Sequence, residues 1–227
     1  MLRALWLGAE TENTIRLEAV IRHSNPAILL DIGCDIGTRS LSMSECARAK
    51  MTVGVEIVES RARLARENGI IVVLCDINQG LPFQSCSINI VFSNQVIEHV
   101  ADVDVFMGEG SRVLAKGGRM VFSTENLSSW HNIIATIVGW QPFSLTNVSM
   151  RRLGIGNPLA MLRGSALEWR SWMHVRVFSY RGLIELCDEY GLIDIKAHGA
   201  GYFPFPARFA RWDPRHAVFL IVESTKI

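Results

Sequence analysis

The sequence predicts one α/β domain built on a doubly wound parallel sheet. Strand-like and helix-like segments alternate over about the first 125 residues, which is the rhythm of successive βαβ crossovers. The strand-like segments are apolar at nearly every position, as is typical of strands buried on both faces. The 227 residues, of which 49% are apolar, suffice for a sizeable core in one large domain but not for two domains with a linker.

The alternation defines the elements in chain order. Apolar residues near helical spacing indicate an opening helix over 11–23, which ends at Asn25-Pro26. Five apolar runs then predict strands, and the segments between them predict helices, one of which ends at Gly69. The strands are predicted at 27–32, 51–57, 70–75, 88–93 and 119–124, and the helices at 38–50, 58–68 and 101–115.

The rhythm breaks after residue 125. The next fifty or so residues contain scattered Trp, Gly and Pro residues and no clear strand, so we interpret them as an insertion into the regular pattern. The regular pattern resumes with a helix over 179–190, capped by Ser179, and with apolar stretches at 192–198 and 216–224. The predicted parts are an N-terminal helix (1–25), a ligand-binding core (27–125), the insertion (126–177) and a last helix with strands (178–227).

Charge and cysteine content exclude several classes of protein. The net charge is +1, from 23 basic and 22 acidic residues, so the chain lacks the basic excess of a dedicated nucleic-acid binder. Five cysteines with no CxxC pair predict reduced thiols rather than disulfides or a zinc site. Because no segment has the length of a membrane span or the pattern of a signal peptide, we expect a cytoplasmic protein.

Polar residues follow the predicted strands at the edge where open parallel sheets bind ligands. The first strand leads into a turn over 31–37, in which Gly33 and Gly37 allow a ligand to approach the backbone N–H groups closely. Glu56 follows the second strand, where an acid can accept hydrogen bonds from ribose hydroxyls. Asp76 follows the third strand, where it could bind an exocyclic amine. Acids at three successive strand ends therefore predict a nucleotide-like ligand.

Four segments carry a resemblance to a known family. They are LLDIGCDIGT (29–38), GVEI (54–57), LCDINQGLPFQSCSINIVFSNQVIEHV (74–100) and RVLAKGGRMVFSTEN (112–126). In this order and spacing, the chain resembles the class I S-adenosylmethionine-dependent methyltransferases, in the subgroup of the ubiquinone-biosynthesis O-methyltransferases. The resemblance implies a Rossmann-like sheet of seven strands with the last antiparallel, S-adenosylmethionine as cofactor, and methyl transfer, expected to be O-methylation, to a small molecule.

The resemblance also implies the contacts of the cofactor. The methionine portion would meet the turn after the first strand, and the ribose would meet the acid after the second. The adenine would meet two residues after the third strand, and the sulfonium would lie beside an amide after the fourth. The predicted residues are Asp31, Gly33, Cys34, Asp35 and Gly37 for the methionine portion, Glu56 and Ile57 for the ribose, Asp76 and Ile77 for the adenine, and Asn94 for the sulfonium.

Two positions depart from the family pattern. Asp35 occupies the middle glycine of Asp-x-Gly-x-Gly-x-Gly, and we interpret its carboxylate as suited to the α-ammonium group of the cofactor. Gln95 replaces the first Glu of a Glu-x-x-Glu-His sequence that some ubiquinone-type enzymes use as a metal site, although Glu98 and His99 remain. A hard cation needs several oxygen ligands, so we expect no bound metal.

Three histidines are candidates for a catalytic base. His99 follows the fourth strand, His131 lies just beyond the fifth, and His174 precedes the last helix. Methyl transfer to oxygen or nitrogen can require removal of a proton, a task that His performs most often. Each histidine has a structural alternative, as a residue bonded to backbone or buried in the core, and the sequence leaves both open.

The insertion carries candidate contacts to the methyl acceptor. Its aromatic residues suit a lid that excludes water, although aromatics are equally common in cores. Residues 126–184 hold six Arg and one Glu, so we expect an anionic acceptor; a solvated face or a peripheral membrane contact is the alternative. The candidate substrate-binding residues are Trp130, Arg151, Arg152 and Tyr202, and Trp140, Phe143, Trp169 and Trp172 are the other candidates for the lid.

Two other functions stay open from the sequence. A nicotinamide-dependent oxidoreductase would need a Gly-x-Gly-x-x-Gly turn, which Gly33 and Gly37 do not provide. A non-catalytic S-adenosylmethionine-binding or interaction protein on the same fold is favoured only by Asp35 and Gln95. The acceptor itself stays open among quinone precursors, sugars and lipid-linked intermediates, as does the oligomeric state.

Overall fold

The computed structural model describes residues 2–160 and 170–227, which form one seven-stranded sheet flanked by helices. The strands are β1 (Ile28–Ile32), β2 (Met51–Glu56), β3 (Ile71–Leu74), β4 (Ile88–Asn94), β5 (Leu114–Glu125), β6 (Leu192–Ala200) and β7 (Phe219–Lys226). The α-helices in these ranges are α1 (Leu2–Ile21), α2 (Thr38–Ala47), α3 (Glu59–Glu67), α4 (Val103–Val113), α5 (Trp130–Ile137) and α6 (Tyr180–Glu189).

The sheet has the strand order β3-β2-β1-β4-β5-β7-β6. Strands β1 to β5 run parallel, and β7 pairs antiparallel with both β5 and β6. The prediction of a doubly wound sheet with an antiparallel last strand is therefore confirmed. The strand order reverses direction between β1 and β4, and such a switch point opens a crevice at the carboxyl ends of the strands.

Helices cover both faces of the sheet, which explains why its strands are apolar at consecutive positions. In β5, Met120 and Phe122 belong to one core cluster together with Phe106 of α4. Val121, between them, belongs to the other cluster with Leu17 of α1. Side chains alternate between the two faces along a strand, so both sets of positions must be apolar.

Helix α1 begins at Leu2, nine residues before the predicted start at residue 11. The prediction was wrong because the first turns show no clear apolar stripe and pack through separate contacts. Trp6 meets Phe219 of β7 edge to face at 5.0 Å, and Ala9 is buried. The helix contacts α2 and the three strands β5, β6 and β7, so it lies over the sheet rather than preceding it.

Strand β5 and helix α6 show where local signals succeeded and failed. The sequence predicted a helix over 101–115 and a strand over 119–124, but α4 ends at Val113 and β5 already begins at Leu114. The strand has a register shift against β4 between Ile88 and Ile90. Ser179 caps α6 as predicted, because its Oγ accepts a hydrogen bond from the N–H of Gly182.

The insertion is tied to the sheet by the buried side chain of Asn126. Its Nδ2 donates to the carbonyl oxygens of Arg215 and Ala217, both at 2.8 Å, and its backbone carbonyl accepts from Asn132 of α5 at 2.9 Å. The division of the chain into core and insertion stays a prediction. Within residues 2–160 and 170–227, no helix combines the length and the apolar character needed to cross a bilayer.

Candidate cofactor and acceptor site

A cavity of about 600 Å³ lies at the carboxyl ends of β1, β2 and β4, at the switch point of the sheet. A smaller cavity of about 80 Å³ adjoins it, since Gly33, Glu56, Val96 and His99 line both. Their volume is in the range that holds a nucleotide-sized ligand. Of the predicted cofactor contacts, the large cavity is lined by Asp31, Gly33, Cys34, Asp35, Glu56, Ile57 and Asn94.

The turn after β1 requires a glycine at position 33. Gly33 has φ +77°, and a Cβ atom there would lie 2.4 Å from Cγ2 of Val96, so no larger residue fits. Gly37 also has a positive φ, +82°, but it is the N-cap of α2 and does not line either cavity among the residues that the structure describes. Its predicted contact with the cofactor stays a prediction.

Glu56, at the end of β2, is held in place by backbone N–H groups. Its Oε1 accepts from Ile57 and Val58 at 3.0 and 2.9 Å, and its Oε2 accepts from Asp35 at 3.0 Å. The carboxylate therefore links the turn after β1 to the turn after β2. A ribose would meet an acid whose orientation is already fixed, which lowers the entropic cost of binding.

Asp31 is a buried acid in the wall of the cavity. Burial raises its pKa to about 7, against the opposing effects of the Ser40 hydrogen bond and the charge of Arg39. The Ser40 hydroxyl donates to its Oδ2 at 2.6 Å. A cationic ligand beside this carboxyl group would favour the ionised form and lower the pKa.

Asp35 adopts a left-handed backbone conformation, with φ +52°, at the position that is glycine in the family pattern. Aspartate tolerates this conformation better than most side chains. Its carboxylate forms an ion pair with Arg61 of α3, whose guanidinium also lies over the Trp172 ring at 5.4 Å. The predicted contact with the α-ammonium group stays a prediction, and the structure adds Arg61 as a competing partner.

The end of β3 lines the smaller cavity through Asp76 and Ile77. The Asp76 carboxylate accepts from the backbone N–H and from the Nδ2 of Asn78, at 3.0 and 2.7 Å. Asn78 in turn accepts from the N–H groups of Ala101 and Asp102. This arrangement fixes an acid and an apolar side chain at the place where the sequence predicts the adenine.

Asn94, at the end of β4, is positioned by helix α1. Its Oδ1 accepts from Nδ2 of the buried Asn13 at 2.8 Å, and Oδ1 of Asn13 accepts from the Ser123 hydroxyl at 2.7 Å. Gln95 donates to the same hydroxyl at 3.1 Å. The amide beside the expected sulfonium therefore belongs to a network that spans α1, β4 and β5.

Two of the three candidate histidines lie side by side. The rings of His99 and His174 are 4.7 Å apart, and His99 lines both cavities. Nδ1 of His99 lies 3.1 Å from the carbonyl oxygen of Met173, and Nδ1 of His174 lies 2.6 Å from the carbonyl oxygen of Ser144. A carbonyl only accepts, so each Nδ1 carries the hydrogen and each Nε2 has a free lone pair in the neutral ring.

Comparison with known proteins agrees with this architecture. Residues 30–122 match a family model described as a methyltransferase domain. The ubiquinone biosynthesis O-methyltransferase of Idiomarina loihiensis is 29% identical over 170 residues, which cover 69% of each chain. A malonyl-[acyl-carrier protein] O-methyltransferase of Methylovorus sp. is 32% identical over 110 residues, which cover 44% of this chain and 37% of that one.

Solved structures share the fold across nearly the whole chain. A putative S-adenosylmethionine-dependent methyltransferase from Listeria monocytogenes has a TM-score of 0.63 at 16% identity, covering 96% of this chain and 98% of that one. A methyltransferase from Thermotoga maritima, described as a possible histamine N-methyltransferase, has a TM-score of 0.62 at 17% identity, covering 98% and 93%. Residues 30–122 therefore carry a methyltransferase domain, and the chain has the fold of S-adenosylmethionine-dependent methyltransferases. Its cofactor is S-adenosylmethionine.

The methyltransferase keeps His99 neutral near pH 7. Burial lowers the pKa of His99 to about 4, and the neighbouring His174 acts in the same direction. Glu98 lies behind the pair, fully buried, and burial raises its pKa to about 7. The hydroxyl of Thr124 donates to its Oε2 at 2.9 Å.

The residues at this end of the methyltransferase do not fit a hard cation. Glu98, His99 and His174 bring potential ligand atoms within 4.8 Å of one another, but they supply one carboxylate and two imidazoles. Mg²⁺ prefers several oxygen ligands. The amide at Gln95 is turned to Ser123. The expectation that no metal is bound stays a prediction, and no step of the reaction is assigned to one.

Several predicted site residues are not part of the lining of the two cavities among the residues that the structure describes. His131 is buried between the rings of Phe143 and Phe203, at 5.4 and 4.5 Å. Across residues 2–160 and 170–227, the lining of the two cavities includes none of His131, His174, Trp130, Tyr202, Arg151 and Arg152. The roles of all six residues stay predictions.

The predicted lid is only partly at the site. Trp172 lines the large cavity, whereas Trp140 is 37% exposed and Phe143 packs against His131. Trp169 lies outside the described residues. The segment after Trp172 is attached to the end of β4, because the N–H of Val175 donates to the Glu98 carbonyl at 2.9 Å.

Other residues line the large cavity without having been predicted. They come from α1, α2 and the segment before α6, and they are Thr14, Thr38, Arg39, Ser42 and Ser171. Arg39 donates to the Thr14 hydroxyl at 2.7 Å. A basic residue in the first turn of the helix after the glycine turn is the one signal in the sequence that could have pointed to Arg39.

Proposed function

We propose that this methyltransferase transfers the methyl group of S-adenosylmethionine to an oxygen of a small molecule bound beside His99. The observation that carries the proposal is that Asp31, Glu56 and Asn94, from three different strand ends, line one cavity together with His99. The O-methyltransferase names of the relatives from Idiomarina loihiensis and Methylovorus sp. favour oxygen as the acceptor atom.

The polarity of the cavity supports one orientation of the cofactor. Glu56 would hold the ribose, and Asp76 with Ile77 would hold the adenine. Among the described residues that line the large cavity, Arg39 is the one Lys or Arg, and it lies near Asp31. We place the methionine carboxylate at Arg39 and the α-ammonium group at Asp31, because each group then meets the opposite charge.

The reaction is an in-line displacement in which the protein supplies alignment and excludes water. Asn94, fixed by Asn13, would orient the sulfonium. His99 presents a neutral ring whose Nε2 could accept a proton from the acceptor. Because its pKa of about 4 makes it a weak base, we propose an acceptor oxygen that is already ionised or loses its proton readily, such as a carboxylate or an acidic hydroxyl.

The insertion is proposed to bind the acceptor. Arg151 and Arg152 are exposed, and with the other arginines of the segment they support an anionic acceptor of low molecular weight rather than a nucleic acid. Trp130 and Tyr202 are proposed to form an outer wall of the acceptor site. We also propose that the protein is cytoplasmic. If replacing Arg151 and Arg152 by Ala left the acceptor KM unchanged, the two arginines would be surface charge.

The test is an assay of S-adenosylhomocysteine release against a panel of carboxylic acids, phenols and sugars. We expect turnover with at least one oxygen acceptor and formation of its methyl ether or ester. Turnover with amines alone would contradict O-methylation. Cofactor binding without release of S-adenosylhomocysteine for any acceptor would favour the non-catalytic alternative.

A further inference from the structure

An apolar stripe on helix α5 is exposed. Trp130, Ile134 and Ile137 are four and three residues apart, so they share one face of the helix. Ile134 and Ile137 are 43% and 78% exposed, and Val138, directly after the helix, is 54% exposed. Isolated exposed apolar residues are ordinary, but a continuous row of them marks a surface that binds something.

The stripe continues onto the loop after β6 through a chain of aromatic contacts. The ring of Trp130 meets the ring of Phe205 at 5.9 Å, and Phe205 lies 6.4 Å from Tyr202. Tyr202 lies 5.9 Å from Phe209, which lies 5.9 Å from Trp212. Phe205 is 47% exposed and Trp212 is 75% exposed, so the apolar surface extends across two separate segments of the chain.

Positive charge lies on the segment that carries the exposed Trp212. Arg208, Arg211 and Arg215 are all exposed on the segment that carries Trp212. The acid in this segment, Asp213, is engaged by the hydroxyl of Tyr202 and by Nδ1 of His216, and it lies 3.9 Å from Nε of Arg215. Helix α5 contains no charged residue. The surface therefore combines exposed aliphatic and indole side chains with a net positive charge.

We propose that this surface, made of α5 and residues 202–216, docks on an anionic lipid bilayer. Indole rings favour the boundary between headgroups and acyl chains, and arginines near an anionic bilayer are attracted to it. The arginine stems can lie along the apolar region while their guanidinium groups reach the headgroups. Apolar insertion and basic attraction together supply the two signals that lasting peripheral attachment needs.

The same observations disfavour other occupants. In a symmetric dimer this surface would meet its own copy, which would bury the arginines of both subunits although Asp213, the acid of this segment, is already engaged. A nucleic acid would satisfy the arginines but would leave Ile134 and Ile137 against phosphate and sugar. A bilayer with anionic headgroups satisfies both the apolar stripe and the positive charge.

The experiment is flotation of the full chain with vesicles of phosphatidylcholine mixed with phosphatidylglycerol, and with vesicles of phosphatidylcholine alone. We expect the protein to bind the mixed vesicles. The triple variant Arg208→Gln, Arg211→Gln, Arg215→Gln is expected to bind about a hundredfold more weakly, at about fivefold for each arginine. The variant Ile137→Ser, Trp212→Ser is expected to lose about tenfold or more.

The matched control is Arg63→Gln with Ile71→Ser, which changes an exposed arginine and an exposed isoleucine on α3 and on β3 at the opposite edge of the sheet. It should bind the mixed vesicles like the unchanged protein, and all variants should keep their affinity for S-adenosylmethionine, which verifies folding. Absence of binding to mixed vesicles would overturn the proposal. So would equal losses in the control, or self-association in sedimentation that the surface variants abolish while vesicle binding persists.

Discussion

The two ends of the cavity differ in how their polar groups are held. At the cofactor end, Glu56 is fixed by the N–H groups of its own turn and of the neighbouring turn after β1. At the acceptor end, His99 and His174 are each held by one carbonyl of the insertion, from Met173 and Ser144. The first end is therefore built by the sheet itself, whereas the second exists only where the insertion docks on the sheet.

This difference predicts that cofactor binding and methyl transfer can be separated. Changes at the sheet turns should alter the affinity for S-adenosylmethionine and leave the proton chemistry intact. Changes at His99 should do the reverse. Each of the following variants would sharpen this separation or break it.

The largest effect is expected from Glu56→Ala, which removes the acceptor for three backbone N–H groups and for the ribose. Affinity for S-adenosylmethionine should fall by about 100-fold, since charged hydrogen bonds contribute about 1.5–3 kcal/mol each. Titration calorimetry measures this change. Glu59→Ala, at an exposed acid in the first turn of α3, is the control and should bind normally. Equal affinity in both variants would refute the ribose assignment.

His99→Gln should act on the other end. We expect kcat to fall by about 100-fold, the lower range for loss of a general base, while cofactor affinity stays within about twofold. Steady-state assays on an acceptor identified in the panel, together with titration calorimetry, separate the two quantities. His23→Gln, at an exposed histidine, should change neither. A His99→Gln enzyme with full kcat would show that the acceptor needs no base from the protein.

Binding of the cofactor should depend on pH through Asp31. Its pKa of about 7 in the free protein means that it is largely protonated below that pH, and the cofactor's α-ammonium group favours the ionised form. Affinity should therefore fall as the pH drops below about 7, by up to about tenfold per pH unit. Calorimetric titrations at several pH values measure the slope. Asp31→Asn should bind more weakly and without this slope, and a slope that persists would assign the titration to another group.

The smallest effect is expected from Asp35→Gly, which restores the glycine of the family pattern. Relief of the left-handed conformation and loss of a half-exposed ion pair with Arg61 each amount to about 1 kcal/mol and oppose each other. The equilibrium constant for unfolding and the affinity for S-adenosylmethionine should both stay within about threefold of their values in the unchanged protein. Thermal unfolding and calorimetry check this. A loss of affinity above about tenfold would show that Asp35 binds the α-ammonium group instead.

The core was predictable because its signals are local. An apolar run followed by an acid or a glycine turn identified β1 to β4 and the residues after them that line the two adjoining cavities. The contact between Asn13 and Asn94 joins residues 81 apart, and Thr14 gave no local sign that it lines the large cavity. Such contacts depend on where α1 lies over the sheet, which periodicity does not specify.

The insertion was harder to predict for a related reason. Trp130 of the insertion and Tyr202 in the loop after β6 were predicted to contact the acceptor because aromatic residues suit a lid that excludes water. The structure joins the two by a hydrogen bond of 3.0 Å, and Tyr202 also donates to Asp213. Aromatic composition indicates an apolar contact, but it does not indicate the direction in which a long insertion folds away from the sheet.

The most direct test of the account is a crystal structure of the complex with S-adenosylhomocysteine. We expect the ribose hydroxyls within hydrogen-bond distance of the Glu56 carboxylate, the adenine against Ile77, and the sulfur facing Asn94 and His99. A cofactor bound in the reverse direction, or outside the cavity lined by Asp31 and Glu56, would contradict it.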